Sequence, residues 1–262
     1  MDSNALKKTA LSLALLAFAA APVWAQRGQR GGAPAPAATA DAPASEPAPR
    51  WPDGRVNLGS TMDKKGYWEV RPGLGGGPRA ADVPFQPWAR ALYQARTSRT
   101  DLYPPLVLCK PSAGPGFFNA PGFEIVDVPE LKRIFLLNIA GPHSWRVVYM
   151  DGRPHPTGDD LRPTFFGHSV GRWEGDTLVI DSVGFNEKQW FAGSYPVTDK
   201  LHLIERISRP SLRALSYEYT VDDPGAYTGT WGGKWTITEK SASSWMAGGE
   251  MFEYICQDSR YD

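Results

Sequence analysis

The chain has 262 residues with 28 basic against 28 acidic side chains and a formal net charge of zero, so it lacks the electrostatic footprint that nucleic acid or an anionic membrane surface requires. A small molecule, as ligand or substrate, is the expected partner. Aromatic residues make up 12% of the chain and ten are tryptophans, which predicts either a heavy core or an aromatic-lined cavity.

Lys7-Lys8, the apolar run Leu11 to Val23 and the small-residue site Val23-Trp24-Ala25 before Gln26 are the three parts of a secretory signal peptide, which assigns residues 1–25 to a leader. The run is too short to span a bilayer, and no later stretch approaches the roughly 18 apolar residues that spanning takes. The mature protein is therefore expected without an integral membrane segment, periplasmic or secreted. Residues 26–50 are rich in Ala and Pro and contain no Leu, Ile, Val, Met or aromatic ring; with nothing to bury, they are expected to form a disordered tether. Residues 51–262 are read as a single β-rich domain. Its two cysteines, Cys109 and Cys256, predict one disulfide in an oxidising compartment.

From Trp51 to Pro84 the pattern is irregular. Pro87-Trp-Ala-Arg-Ala-Leu-Tyr-Gln-Ala-Arg96 predicts a helix, with Pro in its first turn and Trp88, Ala91, Leu92 and Ala95 on one face. Strands are expected over 123–128, 132–138, 145–150, 202–208, 215–221, 229–238 and 249–257, separated by turn residues such as Asp151-Gly152 and Asp222-Asp223-Pro224-Gly225. The strongest local signal is Gly171-Arg-Trp-Glu-Gly-Asp-Thr-Leu-Val-Ile180, where Gly175-Asp176 sit between strand formers as a tight hairpin. That turn sets Trp173 opposite Leu178, Arg172 opposite Val179 and Val170 opposite Asp181. The expected fold is all-β, a mainly antiparallel meander closing as a calycin-like barrel or folding as a sandwich, with one covering helix.

The hairpin motif 171–180, with Gly184-Phe-Asn186, Leu201-His-Leu-Ile-Glu-Arg206 and Val221-Asp-Asp-Pro-Gly-Ala-Tyr-Thr228, resembles a large group of exported bacterial proteins across roughly residues 51–262. The resemblance implies an exported domain and no particular activity.

Candidate chemistry comes from three places. The hairpin register gathers His168, Arg172 and Asp181 on one face, with His168 diagonal to Asp181, so a His-Asp pair could serve as a general base beside Arg172 if that face lines a cavity. Alternation in Leu201–Ile207 puts Glu205 on the apolar face, where it is either a proton-transferring acid or the partner of a buried arginine such as Arg146 or Arg172; His202 takes the opposite face. The loop Met150-Asp-Gly-Arg-Pro-His-Pro156 offers Arg153 and His155 as a binding rim. Gly167-His-Ser-Val-Gly171 matches a serine-hydrolase elbow, but Ser169 enters a hairpin where the elbow needs a strand, a turn and a helix. None of the four histidines is spaced as a chelating pair, so no metal and no cofactor is expected. Together these predict an enzyme performing metal-free acid–base chemistry, a lyase, isomerase or hydrolase, on a partly apolar or aromatic substrate in a barrel cavity. Glu205, His168 and Asp181 would be catalytic, with Arg172, His155, His202 and Arg153 binding. The alternative is a non-catalytic periplasmic barrel that holds a small hydrophobic ligand.

Overall fold

A ring of strands that alternate in direction closes only when their number is even, and this chain closes with nine. The computed structural model describes residues 46–60, 67–69, 78–99, 108–111, 113–118, 122–139, 144–191, 194–240 and 251. Its strands are β1 (Tyr67–Glu69), β2 (Phe123–Val128), β3 (Arg133–Asn138), β4 (Trp145–Tyr149), β5 (His168–Glu174), β6 (Thr177–Val183), β7 (His202–Ser211), β8 (Ala214–Asp222) and β9 (Trp231–Lys240). They form a closed barrel in sequence order, β1 pairing with β9. The odd count is absorbed by one parallel pair, β4 with β5, through Val148↔Ser169 and Tyr149↔Val170. Parallel neighbours cannot be joined by a tight turn, so residues 150–167 must cross from one end of β4 to the opposite end of the sheet. That crossover bears on the site described below.

The hairpin of β5 and β6 has the expected register, Trp173↔Leu178, Arg172↔Val179 and Val170↔Asp181. Gly175 opens the turn at φ 59°, a conformation glycine adopts without Cβ strain. Period-two alternation then sorts the side chains. Leu178, Ile180 and Ser182 of β6 and Leu203, Glu205 and Ile207 of β7 point inward and are buried, while Asp181, His202 and Ile204 between them are only half-buried. The interior is filled by the inward rows, with Tyr217 and Tyr219 of β8 set against Trp231 and Trp235 of β9.

The helix α1 (Pro87–Ser98) forms as expected but presents a different face. Ala89 is its buried residue and Tyr93 packs against Phe85 and Tyr195, whereas Trp88 and Leu92 are exposed. Trp88 instead donates its indole N–H to the Gly225 carbonyl at 2.9 Å, an attachment that needs no apolar burial. The chain also joins the barrel before Trp51: Leu212 donates its backbone N–H to the Glu46 carbonyl at 2.8 Å, and Arg50 bridges Asp176 at the hairpin turn. Strand β1 lies in the stretch expected to be irregular, and the strand expected over 249–257 falls outside the described residues. No described helix is long and apolar enough to cross a membrane, which says nothing of spanning by strands.

Candidate functional site

The outward row of the hairpin starts the site. His168 faces Val183 and Asp181 faces Val170 across β5 and β6, which makes His168 and Asp181 diagonal neighbours, and His202 lies on the same outer face of β7. His155 arrives from the crossover 150–167 and lies between them. Its Nδ1 is 2.8 Å from Nδ1 of His168 and its Nε2 is 3.1 Å from Asp181 Oδ1. His202 Nε2 reaches the same oxygen at 2.8 Å. Three imidazoles and one carboxylate thus form a single hydrogen-bonded chain, partly open to solvent.

The proton positions follow from what each group can offer. An ionised carboxylate only accepts, so both Nε2 atoms facing Asp181 must carry hydrogen. Neutral His155 then has a lone pair on Nδ1, which accepts from Nδ1–H of His168, and His168 is left with a basic Nε2. Its pKa is lowered from the ordinary 6.5, chiefly by burial and then by the repulsion it meets from the Arg153 guanidinium and from His155 whenever that ring is protonated, which keeps it in the unprotonated, proton-accepting form at neutral pH.

Tyr149, from β4, completes one wall. Its ring stacks on His168 with centroids 5.2 Å apart, and the Arg153 guanidinium lies 4.1 Å from the Tyr149 centroid on a cation–π contact. Arg153 is held there by Asp151, to which Nη2 donates at 2.6 Å. Hydrogen bonding from Arg153 draws the Asp151 carboxyl down to about 2.

Glu205 is not part of this chain. It points to the other side of the sheet, fully buried, with Arg146 Nη2 2.5 Å from Oε2 and Tyr217 donating its hydroxyl to Oε1 at 2.9 Å. Arg146 also donates to Ser169 and Ser182. The structure therefore separates Glu205 from His168 and Asp181, against the expected convergence of the three, and realises the ion pair with Arg146. The reason is the alternation itself: Glu205 faces Ile180 across β6 and β7, and Ile180 and Asp181 point to opposite faces. Burial, followed by the nearby Glu205 charge, lifts the Tyr217 hydroxyl well above its ordinary pKa, so it stays a hydrogen-bond donor. Ser169 is locked in this interior network and not raised on an exposed turn.

Arg172 also stays away. It is on the outer face, but at the turn end, where it bridges Glu174 at 2.7 Å. His143 and Cys256 lie outside the described residues. Among the described residues no group of three or more His, Cys, Asp or Glu side chains is arranged to hold a metal ion; both ring nitrogens of His155 are already engaged within the chain. Sequence reasoning named His155, His168, His202, Asp181 and Arg153 and missed Tyr149, whose only signal is its outward position in β4, alternating with inward Arg146 and Val148. The chain matches no family model, no curated protein and no solved structure.

Proposed function

We propose that this protein is an exported enzyme performing acid–base chemistry on a small, partly apolar or aromatic molecule at the outer face of its barrel. The observation that carries the reading is the chain His168–His155–Asp181 with His202 on the same carboxylate oxygen. When His168 Nε2 takes a proton from the substrate or from water, its Nδ1 proton can pass to His155, so the new positive charge rests beside Asp181. The abstracted proton returns by the reverse route to the product or to solvent. This suits removal of a proton next to a carbonyl, as in a lyase or isomerase, or activation of water for hydrolysis. The Tyr149 ring offers an apolar wall, Arg153 a cation for a developing oxyanion, and His202, held by its Nε2, a free Nδ1. Arg172 has no role in this scheme. The proposed location differs from the interior cavity suggested by the sequence, where Arg146, Glu205 and Tyr217 occupy the space.

Export is supported by the leader-like residues 1–25 and by the resemblance of the hairpin motif to exported bacterial proteins, and an oxidising compartment would in turn favour the expected Cys109–Cys256 disulfide. No described cysteine is a free thiol. Absence of reactive thiol in denatured, unreduced protein is the expected result.

The enzymatic reading is tested by incubating wild type, Asp181→Asn and His168→Gln with small esters, lactones and enolisable carbonyl compounds. At least one compound should turn over, with the rate falling by ~10²-fold or more in both folded variants and unchanged by a chelator. Turnover indifferent to both substitutions would exclude the site.

A second reading, a barrel that only binds, is favoured by a separate observation. The buried indole N–H groups of Trp231 and Trp235 and the Gln189 amide have no hydrogen-bond partner, and a buried polar atom without one is costly. A small aromatic ligand carrying acceptors for the two indoles and the amide N–H, and a donor for the Gln189 carbonyl oxygen, would satisfy them. Solvent extraction of the denatured protein followed by mass spectrometry distinguishes this reading by a stoichiometric co-purified molecule.

A further inference from the structure

Two adjoining hollows of 460 and 250 Å³ share Arg55, Asp127 and Pro129 in their walls and so form one groove. The larger alone falls within the roughly 300–1,000 Å³ of small-ligand sites. Each hollow carries one indole, Trp51 in the larger and, in the smaller, Trp173, which sits at the turn end of its inward row, partly buried against the core and partly open to the hollow. Neither ring belongs to the histidine chain, and nothing in the proposed proton transfer uses them.

Between the two hollows, the polar groups are fixed before any ligand arrives. Arg55 donates through Nε to Asp53 at 2.8 Å and through Nη1 to Asp127 Oδ2 at 2.8 Å. Both partners hold its side chain in one pose, leaving Nη2 as a spare donor and Asp127 Oδ1 as a spare acceptor, neither of which has a hydrogen-bond partner among the described residues. The surrounding charges nearly balance: Asp53, Asp127, Glu130 and Asp151 are set against Arg55 and Lys132 in the walls and Arg153 on Asp151. Such a field gives no advantage to a strongly charged ligand.

A spare donor and a spare acceptor on the two members of one ion pair match vicinal hydroxyl groups, each of which donates and accepts, and an indole face matches the C–H side of a sugar ring. Preorganisation by the ion pairs lowers the ordering cost of binding. We propose that this groove binds a neutral oligosaccharide, with Trp51 and Trp173 as the ring-stacking platforms and Arg55–Asp127 as the hydroxyl-reading pair. The inference does not rest on the histidine chain, although Asp151, which holds Arg153 there, also lines the smaller hollow.

The test is calorimetric titration of the mature protein with cellotetraose, maltotetraose and chitotetraose at neutral pH. At least one should bind with a Kd of about 1 mM or below. Trp51→Ala and Trp173→Ala should each weaken it roughly tenfold or more, and Asp127→Asn should weaken it while the folded spectrum is kept; Trp145→Ala, an exposed indole outside the groove, should leave it unchanged. Failure of all three sugars to bind, or binding that ignores both groove tryptophans, overturns the proposal.

Discussion

The two faces of the hairpin hold polar clusters of opposite character. Inward, Ser169 and Ser182 join Arg146 and Glu205 in a buried network. Outward, one residue away on each strand, His168 and Asp181 join His155 and His202 in a chain that solvent can reach. The inner pair is closed, since Glu205 is filled by Arg146 and Tyr217 and no reactant can approach it. The outer chain ends in a ring nitrogen left unbonded. Polar side chains on a barrel are thus closed into the interior or left within reach of solvent according to the parity of their position, and a one-residue shift exchanges the two.

The largest expected effect lies on the inner face. Glu205→Gln leaves the Arg146 charge buried without a counter-ion and should lower stability by about 3–5 kcal/mol, whereas replacing Arg146 and Glu205 together by leucine should cost far less. Urea midpoints of the single and the double variant measure this. Outer-face imidazole signals should be unchanged throughout; a shift in them would break the separation between the faces.

The hairpin that carries both clusters gives a smaller effect. A Cβ on Gly175 meets nothing within 4 Å, so Gly175→Val should reveal the cost of positive φ alone, about 1–2 kcal/mol. Asp176→Asn loses only an exposed ion pair with Arg50 and should cost clearly less than Gly175→Val. Equal losses would mean that the turn does not set the register.

The smallest effect is a pH dependence confined to the outer face. Because His168 has a lower pKa folded than unfolded, the unfolded chain binds more protons between those two values. Stability should therefore be fully present above about 6.5 and decline as pH falls from there toward the folded value. His168→Gln should flatten that slope. Arg153→Ala removes a charge that opposes protonation of His168 and should raise its pKa, read by NMR titration.

Much of this was legible in the chain. Gly175-Asp176 between strand formers set the register of β5 and β6, and alternation in Leu201–Ile207 put Glu205 inward, with Arg146 as one of its possible partners. What was not legible depends on the path of the chain between strands. His155 is thirteen residues from His168 and reaches it only because the parallel β4–β5 pair forces a crossover over the outer face. Local pattern carries no trace of that pairing, nor of the β1–β9 contact that closes the barrel. The sidedness of the hairpin also depended on closure. Trp173 and Leu178 belong to the inward row, so the charged row could not line a cavity, and His168 and Asp181 were left on the outside, away from Glu205.

The most direct test of the outer chain is the protonation pattern of its three imidazoles, read from ¹⁵N chemical shifts and ¹H–¹⁵N couplings at a pH above the titration of His168. His168 is expected to carry its hydrogen on Nδ1, with His155 and His202 carrying theirs on Nε2, and Asp181→Asn should disturb all three. His168 found with its hydrogen on Nε2, or signals that ignore Asp181→Asn, would contradict the relay.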